Sequence, residues 1–151
     1  MASMLTAVVV LGLAMQTANT PRTKPYSSQK QPLHSWDVFM ASPGAIAAAK
    51  ELKGDCGDAE TQDVMNACFE ATYAKADADL HAKYEHYLKV TSGATRNDLI
   101  AAQAGWLKYR DAQCKAVADQ ELGGSIQPTM YYDCMQAITI KRQQELETDF
   151  R

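Results

Sequence analysis

Four cysteines, Cys56, Cys68, Cys114 and Cys134, are the residues of this chain best suited to chemistry. An even set of thiols can oxidise in pairs, ligate a metal or exchange electrons. The spacings are long and no C-x-x-C occurs, which speaks against a structural zinc site and against a thioredoxin-like redox centre. Pairwise oxidation to disulfides is the chemistry that remains, and it needs an oxidising compartment. The N-terminus points the same way. No Lys, Arg, Asp or Glu precedes Arg22, and Leu5 to Ala14 is an apolar run of signal-peptide length, too short to span a bilayer. Ala18-Asn19-Thr20, just before Pro21, supplies a small-residue cleavage neighbourhood. The basic n-region is missing, so only the α-amino group carries positive charge there. Residues 1–20 therefore read as a signal peptide, 21–41 as a flexible leader and 42–151 as the folded domain of a periplasmic or secreted protein.

Other residues could do chemistry but have simpler uses. Asp77, His81 and Glu85 fall at i, i+4 and i+8, a spacing compatible with a metal or a proton relay. With Lys75, Lys83 and Lys89 nearby, they read as a solvated charged face. Trp106, Tyr109 and Arg110 lie on consecutive turns. The favoured reading makes Trp106 a core anchor and pairs Arg110 with Asp111, or with Asp63 across the bundle. The competing reading is an exposed Trp–Arg patch of the kind found at interface hot spots, with Arg110 as a contact. Gln62, Asn66 and Gln103 read as caps or interhelical hydrogen bonds. The connection from Leu122 to Pro128 contains Gly123, Gly124 and Ser125, the candidate residues of a recognition loop on a rigid scaffold; the alternative is a plain turn. No Gly-x-Ser-x-Gly, P-loop or His-Glu-x-x-His occurs, so neither an enzyme nor a cofactor or metal is expected.

Composition narrows the partners. A formal net charge of -3 disfavours nucleic acid, which requires a basic face, and disfavours anionic membrane surfaces. No second apolar segment follows the N-terminal one, and no lipid-attachment cysteine lies near it, so no stable membrane insertion is expected after processing. A protein partner is left.

The elements that position these residues are helical. A short helix is expected from Pro43 to Leu52, capped by Ser42 and ended by Gly54, with Trp36, Val38, Phe39 and Met40 as candidates for docking it. A first long helix runs from about Gln62 to Val90, with Thr61 or Asp58 as its cap. Its apolar stripe is Met65, Cys68, Phe69, Thr72, Ala76, Leu80, Tyr84, Tyr87 and Leu88. A second runs from about Arg96 to Gln120, opened by Thr95 and Asp98, with Leu99, Ala102, Gln103, Trp106, Tyr109, Ala112, Gln113 and Val117 at helical spacing. Gly123-Gly124 breaks it. The third starts near Ser125 to Pro128 and ends near Asp149, with Met130, Cys134, Ala137, Ile138, Lys141 and Leu146 inward. The fold class is all-α: a small antiparallel bundle of three longer helices plus a short N-terminal helix. Four cysteines allow three connectivities. Antiparallel helices bring all four to one end of the bundle, and Cys56–Cys68 and Cys114–Cys134 are favoured because each closes a short loop.

Two blocks, Thr61-Gln62-Asp63-Val64-Met65-Asn66-Ala67-Cys68 and Ala102-Gln103-Ala104-Gly105-Trp106-Leu107-Lys108-Tyr109-Arg110-Asp111-Ala112-Gln113-Cys114, stand out together with Gly123-Gly124-Ser125 and Tyr132-Asp133-Cys134. From Cys56 to Leu146 the chain resembles the LprI-like lysozyme-inhibitor family. The resemblance implies an exported protein that binds and inhibits a lysozyme-type peptidoglycan hydrolase. It supplies no binding residues by itself. Alternative roles are an immunity protein against a peptidoglycan-degrading toxin and a non-inhibitory structural or stress protein of the envelope.

Overall fold

Ser42 stands just ahead of a proline and an alanine-rich run, and its hydroxyl accepts from the Ala45 amide at 3.2 Å. This cap, Pro43 in the first turn and the helix propensity of alanine set helix α1 at Pro43–Glu51. The computed structural model describes residues 41–52 and 54–150. The expected signal peptide, the expected leader up to Met40 and the expected docking role of Trp36, Val38, Phe39 and Met40 lie outside the described residues. The Ser42 hydroxyl also donates to Asp63 Oδ2 at 2.7 Å, which ties the start of α1 to the start of the next long helix. Behind that tie, Ala41 and Ala45 are buried against Ala67, with Val64 and Ala49 alongside. Side chains this small let two helix backbones approach closely.

A 3-10 turn at Cys56–Asp58 follows, closed by reciprocal bonds: Gly57 N donates to Asp55 Oδ1 at 3.1 Å, and Asp55 N donates to Asp58 Oδ2 at 3.0 Å. Helix α2 spans Gln62–Val90, capped by Thr61, whose Oγ1 accepts from Val64 N at 3.3 Å. Helix α3 spans Gly93–Ala118 and passes into a 3-10 turn at Asp119–Glu121. Helix α4 spans Gln127–Asp149 with Pro128 in its first turn, where a missing N–H does no harm. The expected start of α3 at Arg96 is three residues late. Ser92 occupies the cap position without a side-chain bond, and Thr95 with Asp98 lies inside the first turns. Gly93 at φ 58 makes the left-handed bend that lets α3 begin so soon after α2 ends.

Among the described residues the architecture is all-helical, with α1 on α2 and α4 packed against both α2 and α3. Apolar side chains gather at two levels of the bundle. At one level Leu80, Tyr84 and Leu88 of α2 meet Leu99 of α3 and Leu146 of α4. At the other, Cys114 and Ala118 of α3 meet Tyr131 and Met135 of α4. Fully burying each leucine contributes roughly 1.5–3 kcal/mol.

The inward faces of α3 and α4 are rotated by about one residue from the expected ones. On α3 the buried positions are Leu99, Gln103, Leu107, Arg110, Cys114 and Ala118, while Ala102, Tyr109, Ala112 and Gln113 face solvent. On α4 Tyr131, Met135, Thr139 and Leu146 are buried, Met130, Cys134 and Ile138 are half-buried, and Ala137 and Lys141 are exposed. The cause lies between the two apolar levels, where the core is polar. Arg110, Gln103 and Thr139 are each no more than 2% exposed; Gln103 lies on the expected stripe, but Arg110 and Thr139 are residues that hydrophobic periodicity skips. Trp106 is half-buried, with its ring at the edge of the Leu80–Leu146 level.

Candidate functional site

The cysteines pair as Cys56–Cys68 and Cys114–Cys134, with Cα–Cα separations of 5.5 and 5.4 Å that suit a disulfide. The first fixes the 3-10 turn to α2. The second fixes the end of α3 to the start of α4. Both therefore sit at the end of the bundle that carries the Leu122–Ile126 connection.

That connection is held from beneath by a polar cluster. Gln62 Nε2 donates to Asn66 Oδ1 and to Thr129 Oγ1, both at 2.9 Å, and the Thr129 hydroxyl donates to Asn66 Oδ1 at 2.6 Å. Asn66 Nδ2 in turn donates to the Ser125 carbonyl at 3.2 Å, so α2 grips the connection directly. Gln62 and Asn66 thus make interhelical bonds, as expected. Thr129 was not anticipated; its only signal in the sequence is its place in the first turn of α4. Within the connection, Gly123 N donates to Gln127 Oε1 at 3.0 Å, Gly124 N to Glu121 O at 2.8 Å and Gln127 N to Gly124 O at 3.1 Å. Gly123 has φ 79, and a Cβ on Gly124 would lie 3.0 Å from the Glu121 carbonyl oxygen. Both positions need glycine for backbone reasons. Above this frame Leu122 and Ser125 are exposed, as is Ile126.

Arg110 is elsewhere and does something else. It is 1% exposed, with Nη1 on Asp77 Oδ1 at 2.9 Å and Nε on Asp111 Oδ1 at 3.1 Å. Its guanidinium lies 5.0 Å from the Trp106 ring centroid and 5.6 Å from that of Tyr73. A guanidinium can be buried when its donors meet carboxylates and its flat faces meet aromatic rings. The exposed-patch reading of Arg110 gives way to the packing one, with Asp111 paired as expected and the partner across the bundle corrected. Asp77 crosses from α2 to pair with it, whereas Asp63 accepts from Ser42. Around the same level Arg142 Nε donates to Gln103 Oε1 at 3.2 Å, and Gln143 Nε2 donates to the Ala76 carbonyl at 2.7 Å. Burial pushes the Tyr73 hydroxyl far above the ordinary tyrosine range, with the Arg110 charge opposing the rise. Tyr84 is raised too, again chiefly by burial.

Asp77, His81 and Glu85 share a face of α2, but Asp77 turns to Arg110 and is only partly in water. His81 and Glu85 are half-buried as well, so the solvated-face reading holds only in part: Lys75 is exposed and pairs with Asp79 at 2.6 Å, and half-buried Lys83 pairs with Glu147. Among the described residues no group of three His, Cys, Asp or Glu side chains is placed to hold a metal ion. An open groove of about 580 Å³ runs between α1, α2 and the start of α4. Its walls mix Ile46, Leu52 and Phe69 with Lys50, Lys75 and Asp133. No helix among the described residues is long and apolar enough to cross a membrane.

Comparison with known proteins adds the family. The model of the lysozyme inhibitor LprI family matches residues 54–146, from the turn before the first disulfide to the last buried leucine. The chain belongs to that family. An uncharacterized protein of Rhizobium meliloti (strain 1021) is 31% identical over 116 residues, which cover 68% of this chain and 84% of the relative. No solved structure matches the chain. The LprI match takes in both disulfides, the polar cluster under the Gly123-Gly124 connection and the Arg110 ion pair, and it excludes α1.

Proposed function

We propose that this chain is an exported protein, periplasmic or secreted, that binds and inhibits a lysozyme-type peptidoglycan hydrolase without being an enzyme itself. The observation that carries the reading is membership of the LprI lysozyme-inhibitor family over residues 54–146. Two disulfides in a chain of this size support an oxidising compartment. The contact region is the connection containing Gly123, Gly124 and Ser125. Two glycines allow close backbone approach there, and a braced frame keeps the shape of the loop between the free and bound states. Arg110 has no part in it, because it supports the interior. The test is a dose series of purified mature protein against several classes of lysozyme, with peptidoglycan turnover as the readout. Inhibition of at least one class in the micromolar range or below is expected. No inhibition of any class at that dose overturns the reading.

A further inference from the structure

We infer that the contact with the hydrolase has two parts, an apolar tip made by Leu122 and Ile126 and an acidic collar around it, and that it fits an apolar cleft with a cationic rim. The inference rests on the inhibitor reading above and specifies the surface and the partner's chemistry.

The tip comes first. Leu122 is 76% exposed and Ile126 is 38% exposed, and they flank the Gly123-Gly124-Ser125 segment. A lone exposed leucine on a protein means little. Here two large aliphatic side chains share one short connection whose backbone is fixed at four points. Asn66 holds the Ser125 carbonyl, Gln127 holds the Gly123 amide, Glu121 holds the Gly124 amide, and the Gly124 carbonyl takes the Gln127 amide. The Cys114–Cys134 bridge clamps the two helices that lead into and out of it. A loop so fixed loses little freedom on binding, so the burial of its apolar side chains is not spent on ordering the chain.

The collar follows from topology. The Cys56–Cys68 bridge, the bonds from Gln62 and Asn66 to the start of α4, and the Cys114–Cys134 bridge bring residues 54–66 to the same end as residues 115–127. These two stretches contain Asp55, Asp58, Glu60, Asp63, Asp119 and Glu121 against Lys115 alone. Six carboxylates against one ammonium give this end a formal charge of -5, while the other described residues, with nine Lys or Arg against eleven Asp or Glu, carry only -2. Negative charge concentrated in this way steers a cationic partner toward one end of the molecule, and it repels the same end of a second copy.

The experiment takes a lysozyme that the mature protein inhibits and measures association and dissociation rates at several salt concentrations. Leu122→Ser should raise the inhibition constant at least about tenfold, mainly through faster dissociation, with an unchanged melting curve. Glu60→Lys combined with Glu121→Lys should slow association several-fold and flatten its salt dependence, as loss of steering does. Tyr109→Ser, at an exposed site on α3, should bind as the unaltered protein does. If the unaltered protein inhibits and all three variants match it, the two-part surface is wrong while the inhibitor reading stands. If the unaltered protein inhibits no lysozyme, both fall. A stable dimer that Leu122→Ser dissolves would overturn the inference by showing that the tip serves a second copy.

Discussion

Replacing Arg110 is the most direct way to test how the bundle is held at its middle. Its guanidinium is 1% exposed, whereas Asp77 and Asp111 keep 32% and 23% of their side-chain exposure. Removing the arginine therefore leaves two carboxylates that can take up water. That places the electrostatic loss at the lower end of the roughly 3–5 kcal/mol typical of breaking a buried pair. Arg110→Ala also removes the stem and the contacts of the guanidinium with Trp106 and Tyr73, so a total of about 4–5 kcal/mol is expected. Arg110→Met keeps most of the stem. At about 0.8 kcal/mol per buried methylene it should recover roughly 2 kcal/mol of that loss. Asp77→Asn leaves Asp111 in place and should cost about 1–2 kcal/mol. The double variant Arg110→Met with Asp77→Asn should then cost less than the two single changes added together, because they share one interaction. The assay is urea unfolding followed by circular dichroism, with disulfides intact and slopes compared to confirm that only stability has changed. An Arg110→Ala protein within about 1 kcal/mol of the parent would refute the argument, since no buried, paired guanidinium could be lost so cheaply.

Other perturbations probe the remaining parts. Cys114→Ser with Cys134→Ser opens a crosslink between residues 20 apart and should cost about 3 kcal/mol in the chain-entropy account, measured by the same unfolding series. Peptide mapping without reductant should recover the Cys56–Cys68 and Cys114–Cys134 crosslinks and no other. Asn66→Ala leaves Gln62, Thr129 and the Ser125 carbonyl short of a partner; a loss of about 1–3 kcal/mol and faster amide exchange at Gly123 and Gly124 are expected. Tyr73 governs alkaline behaviour. Its folded-state pKa lies above the ordinary value of 10.0, so the unfolded chain releases this proton first as pH rises. Its stabilising contribution is complete below pH 10 and is lost above it, by about 1.4 kcal/mol at pH 11. Tyr73→Phe should remove that part of the alkaline loss, and an unfolding series at pH 9 and pH 11 would detect it.

The sequence made the helix limits of α1, α2 and α4 legible because local chemistry sets them. Ser42 with Pro43, Thr61, and the Gly123-Gly124 break each act within one turn of the chain. The disulfide pairs were legible because antiparallel connectivity brings four cysteines to one end and the two pairs that form are those that close short loops, 12 and 20 residues apart. The inward faces of α3 and α4 were not legible. Arg110 and Thr139 are polar residue types that periodicity assigns to water, though Gln103 lies on the expected stripe, and Tyr109, an aromatic type assigned to the core, is 57% exposed. The bonds that Arg110 donates to Asp77 and Asp111 account for its burial, and Arg142 donates to Gln103, but Asp77 and Arg142 lie on other helices and no spacing rule singles out Asp111 beside Arg110. The candidate loop was visible from its glycines. Its anchoring by Asn66 and Thr129 was hidden, because those residues lie more than fifty positions apart in the chain.

Both disulfides and the Gln62–Asn66–Thr129 cluster lie at the loop-bearing end, and among the described residues no disulfide lies at the opposite one, where α2 turns into α3 through Thr91 and Ser92. That far pole is packed by Leu80, Tyr84, Leu88, Leu99 and Leu146, with the Lys83–Glu147 pair between α2 and α4 and a two-residue bend whose Thr91 hydroxyl donates to the Tyr87 carbonyl. Heat or mechanical tension should therefore be yielded to there first, while the braced pole keeps its shape. For the same reason, the Thr91–Ser92 bend is where foreign sequence or a reporter could be spliced in with least disturbance to whatever the other pole holds.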